Sequence, residues 1–371
     1  MEVLSEIRNH VAGVTLNRPG ALNALSIEMI LRLRTLFGEF SADPEVFAVL
    51  VRGAGDKAFC AGGDIRALYK SFKHGSPLRD DFFEAEYPLD YMLYSYPKPY
   101  AALLDGITLG GGLGLSQGST LRIVGERTRM AMPEVAIGFF PDVGGSYFLS
   151  RLPGRLGCYL ALTGMHINAA DALYTGLADV YLPPATIASI SDDLSQLRWS
   201  NEHFADLQRF MQARATAPRS PPTLPALREC IDTHFSKASV AAIVSSLEAE
   251  CRSAYAPWAN ETAKLMRSRS PTLMSVTLRQ LQRGASMSLA DCFRMELGMA
   301  AYAFEQGDFL EGVRAVLIDK DNNPRWRPSR IEDVSEPMIE EFFRERWAAG
   351  AHPLATLETG VPRRVSKRPA T

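Results

Sequence analysis

The sequence predicts an α/β layered core followed by a helical C-terminal region, and three observations predict it. Segments with strand and helix patterning recur in the order strand, strand, helix through the first half of the chain. Two glycine-rich turns, Gly62-Gly63 and Gly110-Gly111-Gly112, stand where a strand hands over to a helix. From about Gly154 onward the apolar residues follow a helical period.

Val3–Arg8 and Val11–Leu16 read as two strands joined by a polar turn at Asn9-His10. Ser26 is placed as an N-cap, after which Met29, Leu33, Leu36, Phe37 and Phe40 share one helical face. Residues 47–52 form an apolar run between Asp43-Pro44 and Gly53, which predicts a buried strand. The loop Cys60-Ala61-Gly62-Gly63-Asp64 then opens a helix. Residues 100–104 predict a strand that leads into the triple glycine and a short helix, and Leu121–Val124 and residues 130–132 predict two more strands. Residues 217–222, rich in proline, predict an exposed loop. Beyond it, residues 239–256, 271–283 and 289–307 predict helices. Residues 350–371 mix Pro, Gly, Arg and Lys without periodicity and predict a disordered tail. The expected organisation is therefore a core over 1–215, a helical region over 216–349 and a tail over 350–371.

Composition narrows the function classes. The chain of 371 residues suffices for one large domain or two ordinary ones, and 46% apolar with 22% charged residues is ordinary globular usage. Forty Lys and Arg against forty-two Asp and Glu give a net charge of -2, which offers no basic footprint for nucleic acid. The five cysteines (Cys60, Cys158, Cys230, Cys251, Cys292) are scattered and odd in number, so a reducing compartment, the cytoplasm, is expected. The six histidines form no H-x-x-x-H or mixed Cys/His cluster, so no metal site is expected. No apolar run approaches the roughly 20 residues of a membrane span, and strand-like sequence begins too early for a targeting segment.

The chemistry-bearing segments are the two glycine turns and the loop that follows them. Amides at a helix start lack intrahelical acceptors and can bind a developing negative charge, while glycine lets a ligand approach the backbone. One such turn serves structure as readily as chemistry; two, followed by an acidic loop, point to chemistry. That loop is Met132-Pro133-Glu134-Val135-Ala136-Ile137-Gly138-Phe139-Phe140-Pro141-Asp142-Val143-Gly144-Gly145. Glu134 and Asp142 stand among apolar residues, where burial raises a carboxyl pKa and suits it to acid or base work; as helix caps at a surface they would do neither. Gly114-Leu115-Ser116-Gln117-Gly118 matches a nucleophile elbow, but Ser116 lies several residues past the strand rather than on the turn itself, which disfavours a serine hydrolase.

Taken together, Leu16-Asn17-Arg18-Pro19, Ala21-Leu22-Asn23-Ala24-Leu25, Ala58-Phe59-Cys60-Ala61-Gly62-Gly63-Asp64-Ile65 and Gly106-Ile107-Thr108-Leu109-Gly110-Gly111-Gly112 resemble the crotonase (enoyl-CoA hydratase/isomerase) superfamily. The acidic loop, Ser270-Pro271-Thr272 and the stretch from Gly307-Asp308-Phe309 to Asp319-Lys320-Asp321 are similar to its 3-hydroxyisobutyryl-CoA hydrolase branch, which acts in valine catabolism. The resemblance spans about residues 3 to 345. It implies a spiral of ββα turns closed by the helical region, and a thioester carbonyl held by the amides of Gly63 and Gly111. Glu86, Gly111, Glu134 and Asp142 fall on substrate positions, with Glu134 and Asp142 catalytic. CoA would lie along Asn23, Ala24, Ala61, Gly62, Gly63, Asp64 and Ile65. The implied partner is an acyl-CoA substrate, with no separate cofactor, and by analogy a homo-oligomer with a trimer favoured. Hydratases of the superfamily carry an acid at the position of Gly114; here none is present, and Asp142 stands where they usually have glycine. A hydratase or isomerase, or a non-catalytic CoA- or RNA-binding relative, is the rival reading. Pro88, two residues past Glu86, departs from the branch and is expected to displace Glu86, and Asp90 stands where Asn is common.

Overall fold

The computed structural model describes residues 1–348 and 350–358. Strands β1 (Val3–Arg8) and β2 (Val11–Leu16) pair antiparallel across a turn that uses positive φ at Asn9 and His10. Ser26 caps α1 (Ile27–Ala42) by accepting the Met29 amide, and the buried face of that helix carries Met29, Leu33, Leu36, Phe37 and Phe40, as its period predicts.

Three ββα turns follow. In each, the first strand joins a large sheet and the second a small one. The strands β3 (Ala48–Gly53), β5 (Tyr100–Leu103), β7 (Leu121–Val124) and β9 (Val180–Tyr181) extend the large sheet in the order β1-β2-β3-β5-β7-β9. The short strands β4 (Ala58–Cys60), β6 (Ile107–Leu109) and β8 (Arg129–Ala131) form a three-stranded sheet. Every pairing from β2 onward is parallel. Helices α2 (Ile65–His74) and α3 (Leu78–Tyr94) follow β4, and α4 (Gly111–Gln117) follows β6. A 3-10 turn (Glu134–Ile137) and α5 (Gly145–Phe148) follow β8. This is the crotonase fold. Two of its three small-sheet strands, β4 and β6, were not legible in the sequence, because three-residue strands carry too little periodicity to register.

Helices α6 (Leu156–Thr163) and α7 (Ala169–Thr175) lead into α8 (Pro184–Leu194) and α9 (His203–Gln212). The latter two cover the outer face of the large sheet, packing Ile190, Leu194, Leu207 and Met211 against Leu50, Ala101 and Ile123. Residues 217–222 form an exposed loop, as expected. After it come α10 (Leu224–His234), α11 (Val240–Glu248), α12 (Ala256–Arg267), α13 (Pro271–Gly284), α14 (Leu289–Gln306), α15 (Asp308–Val313) and α16 (Glu336–Glu341). The helix expected over 239–256 stops at Glu248, because the Glu250 carboxylate accepts the Arg252 amide at 2.8 Å and offers the backbone a turn instead.

The helical region seats directly on the acidic loop. Gly138, at φ +70°, lies so close to α15 that a methyl group there would fall 2.2 Å from the Asp308 carbonyl oxygen. At Gly312 a methyl would fall 2.4 Å from the Ile137 carbonyl oxygen, so two glycines set the approach of α15 to the 3-10 turn.

The tail expectation needs correction over residues 350–358. Leu354 is buried, Arg294 of α14 donates to the Leu354 carbonyl at 3.1 Å, and Tyr91 of α3 donates to the Glu358 carbonyl. One leucine and several free carbonyls suffice to dock a segment that has no periodicity. The rest of the expected tail, 359–371, lies outside the described residues. Truncation before Gly350 is accordingly expected to lower the melting temperature, since it strips Leu354 from the core at a cost of about 1.5–3 kcal/mol. A truncated protein that melts with the full chain would show that this contact contributes nothing.

Candidate active site

The small parallel sheet fixes the site. Its register sets Cys60 beside Thr108, Thr108 beside Met130 and Leu109 beside Ala131, so its three strands end at one edge. Gly63 comes three residues past β4, Gly111 two past β6 and Glu134 three past β8, and all converge there. A methyl group on Gly111 would lie 3.5 Å from the Gly63 amide nitrogen, and one on Gly110 would lie 2.8 Å from Glu134 Oε1. Gly63 bridges to Leu25 through the Gly62 carbonyl and the Asp64 amide, which turns its own N–H away from that partner. Gly111 opens α4, so its N–H has no intrahelical acceptor. Two amides thus face one point beside a carboxylate, which is the geometry of an oxyanion hole.

These groups line a cavity of about 270 Å³ with Ala61, Gly62, Ile65, Glu86 and Asp142. Apolar walls come from Leu68, Phe82 and Phe83 on one side and from Phe139, Phe309 and Leu317 on the other. Of the residues expected along CoA, Ala61, Gly62, Gly63 and Ile65 reach the cavity, whereas Asn23, Ala24 and Asp64 do not. Asn23 is fully buried and donates to the Ala54 and Ala58 carbonyls, and Asp64 caps α2 and pairs with Arg18 at 2.9 Å. Both side chains are spent holding the loop in shape.

Pro88 does not displace Glu86. Helix α3 runs unbroken through it, and Glu86 Oε1 lies 2.5 Å from where a Gly111 methyl would sit. Behind Glu86, one turn along the same helix, Asp90 is fully buried with neither carboxyl oxygen hydrogen-bonded. Glu86 Oε1 and Glu134 Oε2 are also buried without partners. Burial pushes all these carboxyls above the usual carboxylate range, and their mutual repulsion pushes Glu86, Asp90 and Glu134 further. Asp142 is pushed up to about 7 by burial, opposed by the Tyr87 hydroxyl that donates to its Oδ2 at 2.8 Å.

Two functional side chains escaped the sequence reading. Tyr87 sits beside Glu86 with nothing in its neighbourhood to mark it. Glu296 left a signal that could have been read: it is a charged residue on the apolar face of α14, between Phe293 and Leu297. Ser116 is not a nucleophile elbow, since it is fully buried within α4 and donates to the Leu113 carbonyl.

The expectation of no mixed Cys/His cluster is also corrected. Cys230 and His234, four apart on α10, meet Glu250, with the three ligand atoms within 4.8 Å of one another, and the Cys-x-x-x-His spacing was the overlooked signal. The guanidinium of Arg252 lies 2.6 Å from Glu250 Oε2 and 3.8 Å from the Cys230 sulfur, in the place a cation would take. Burial also raises the Cys230 thiol to about 11, which opposes the thiolate a metal needs. The group fits an ion-pair cluster better than a metal centre.

Fold and site together define an enzyme that acts on acyl-CoA thioesters. A family model described as enoyl-CoA hydratase/isomerase matches residues 11–343, and the chain belongs to that family. It is 43% identical to the mitochondrial 3-hydroxyisobutyryl-CoA hydrolase of Xenopus tropicalis, over 89% of this chain and 85% of that one. To 3-hydroxyisobutyryl-CoA hydrolase 1 of Arabidopsis thaliana it is 39% identical, over 92% and 91%. Among solved structures it superposes on a carnitinyl-CoA dehydratase from Mycobacterium thermoresistibile with TM-score 0.85 and 37% identity, covering 93% of this chain and 96% of that one. An enoyl-CoA hydratase from Rhodobacter sphaeroides gives TM-score 0.82 at 36% identity, over 92% and 97%. Among the described residues no helix is long and apolar enough to cross a membrane.

Glu134→Gln is expected to cut turnover by about 10²–10⁴-fold, and Asp142→Asn by a comparable factor. Because the two repel, they work as a unit, and the double variant should be scarcely worse than either single. Losses that multiply would show two independent contributors. The pH profile supplies a second check. An acid that must be ionised to work, with its pKa raised, loses activity as pH falls through neutrality rather than near pH 4. In Asp142→Asn the repulsion on Glu134 is gone, so its pKa falls and the acid limb of kcat should move to lower pH. A limb that stays in place would separate Asp142 from the ionisation of Glu134.

Proposed function

We propose that this protein hydrolyses 3-hydroxyisobutyryl-CoA to 3-hydroxyisobutyrate and CoA, a step of valine breakdown. The observation that carries the reading is the convergence of the Gly63 and Gly111 amides with Glu134 and Asp142 around one buried point. One water is consumed, and in either route the CoA sulfur leaves as the thiol. The water oxygen goes to the acyl carbon directly when Glu134 acts as base, or replaces a Glu134 oxygen that has passed to the acyl carbon when Glu134 acts as nucleophile. The two amides stabilise the oxyanion formed as the carbonyl becomes tetrahedral, at about 2.7–4 kcal/mol per donor. Glu134 gives its electron pair either to the carbonyl carbon or to a proton of the attacking water. A single turnover in 18O-water separates these, because only the first route leaves label on Glu134. Asp142, held by Tyr87, orients Glu134 or the substrate hydroxyl and shares their protons.

The rival is hydration or dehydration at C2–C3, which the names of the two solved neighbours suggest. Position 114 weighs against it: a methyl group on Gly114 would already fall 2.7 Å from Asp90 Oδ2 and 2.7 Å from Val143 Cβ. No acid can be carried there without moving both.

The binding assignments belong to this proposal: Glu86 and Asp142 near the substrate hydroxyl, and the Ala61–Ile65 segment along CoA with no separate cofactor. Five unpaired cysteines among the described residues support a reducing compartment. The cytoplasm is the one expected from the sequence, and the mitochondrion is the one named for the Xenopus relative. A homotrimer by family analogy completes the proposal, and light scattering tests it.

Thiol release from 3-hydroxyisobutyryl-CoA is expected to outpace loss of enoyl absorbance from crotonyl-CoA. Ser116→Ala should retain most of that activity. Faster hydration than thiol release would make the protein a hydratase, and stoichiometric labelling of Ser116 by a phosphonate would restore the elbow.

A further inference from the structure

The Asp142 loop makes a costly turn. Val143 adopts φ +51°, a left-handed conformation that a β-branched residue rarely accepts, and Gly144 follows at φ +83°. A conformation of this kind persists only when its surroundings hold it, and what holds it comes from the helical region. Glu296 of α14, fully buried, accepts the Gly144 amide at 2.8 Å and the Ser146 amide at 2.9 Å, one on each carboxylate oxygen. Gln280 of α13 donates to the Pro141 carbonyl at 2.6 Å and to Ser146 Oγ at 2.8 Å. The turn is therefore clamped on both sides of Asp142, while Phe293, one turn before Glu296, packs on the Tyr87 ring that holds Asp142 itself.

We infer that Glu296, assisted by Gln280, is a positioning residue for the hydrolysis: its two bonds to the Gly144 and Ser146 amides hold the strained turn that aims the Asp142 carboxylate at Tyr87 and the cavity. The helical region thus completes the active site as well as covering it. The inference rests on the proposed role of Asp142. Two bonds from backbone amides favour an ionised Glu296, and they offset only part of the desolvation that, with repulsion from Asp142, pushes its carboxyl up to about 8. Each carboxylate oxygen accepts from a fixed backbone amide, so the two bonds are strongest in the ionised form, present above its raised pKa. The titratable groups facing it are Tyr87 and Asp90 from α3, Asp142 from the loop and Cys292 from its own helix. All are acids, so each ionisation opposes the others.

The test is thiol release by wild type, Glu296→Gln and Gln280→Ala across pH, with thermal melts on each. Glutamine keeps the shape but presents an NH₂ to one backbone N–H, so one bond is lost and the turn loosens. Turnover of Glu296→Gln is expected to fall about 10- to 100-fold, with KM within about threefold because the amides and cavity walls remain. Its acid limb should also move to lower pH, since a charge repelling Asp142 has gone; a purely structural role would leave the limb in place. Gln280→Ala should lower turnover in the same direction by a smaller factor, which keeps the inference testable if Glu296→Gln does not fold. Wild-type turnover and pH profile in a folded Glu296→Gln, or in Gln280→Ala where the first does not fold, would overturn the clamp. A wild type that releases no thiol would overturn the proposed function instead.

Discussion

The position of every group in this site depends on the parallel register of three strands that together contribute nine residues. Parallel strands must be joined by crossovers, and in each ββα turn the crossover begins at the same edge of the small sheet. Whatever stands two or three residues past each strand is therefore stacked beside its counterparts. The chain places glycine at two of those positions and glutamate at the third. Slipping any strand by one residue would turn its side chains to the other face and take its donor or acid out of reach.

That constraint has an electrostatic cost. Glu86, Asp90, Glu134, Asp142 and Glu296 are all buried; desolvation is the first cause of each raised pKa, and repulsion from neighbouring carboxyls adds to it at Glu86, Asp90, Glu134 and Glu296. Buried together, these carboxyls retain protons well above pH 4 and hold them as a cluster rather than as single residues. Stability follows the same sign. The folded pKa values lie above the unfolded ones, so the folded state holds more protons, and free energy of unfolding declines from about pH 4 up through the value near 7 at Asp142. A site of this kind can lend or take a proton near neutral pH without a histidine, and none of the six histidines of the chain lines the cavity.

How much of this could be read in the sequence varied with the kind of signal. The face of α1 was legible because its apolar period is strict and its cap is explicit. Glu134 and Asp142 were legible because acids among Phe139, Phe140 and Val143 contradict their surroundings. Strands β4 and β6 of the small sheet were not, because three residues cannot show a period, whereas β8 was read at 130–132. Pro88 misled, since a proline in a helix interior is disfavoured locally and tolerated where packing on both sides holds the helix. Asn23 stands in the segment expected along CoA, and its side-chain amide is consumed by the Ala54 and Ala58 carbonyls, a structural role that its place in the sequence does not reveal. Glu296 and Gln280 reach the loop from more than 130 residues away in the chain, a distance no local pattern spans.

The buried carboxyl oxygens without partners are concentrated. Unpartnered buried oxygens occur at Glu86, Asp90 and Glu134, and left-handed φ at a β-branched residue occurs at Val143. All four lie within one loop and one helix, against an aromatic wall in which Phe139 stacks on Phe83 at 5.8 Å and Phe309 meets Phe139 at 5.5 Å. A chain selected only for stability would have no reason to gather its unfavourable groups where the core is otherwise best packed, since apolar residues of similar volume would serve there at lower cost. Gathered, they give the cavity two carboxyl oxygens, Glu86 Oε1 and Glu134 Oε2, that lack partners within the protein. A substrate bearing both a carbonyl for the two amides and a hydroxyl for the acids satisfies those atoms, and an acyl chain without the hydroxyl leaves acids buried and unpaired. On the proposed reading, the cost carried by the free protein is then the source of its discrimination.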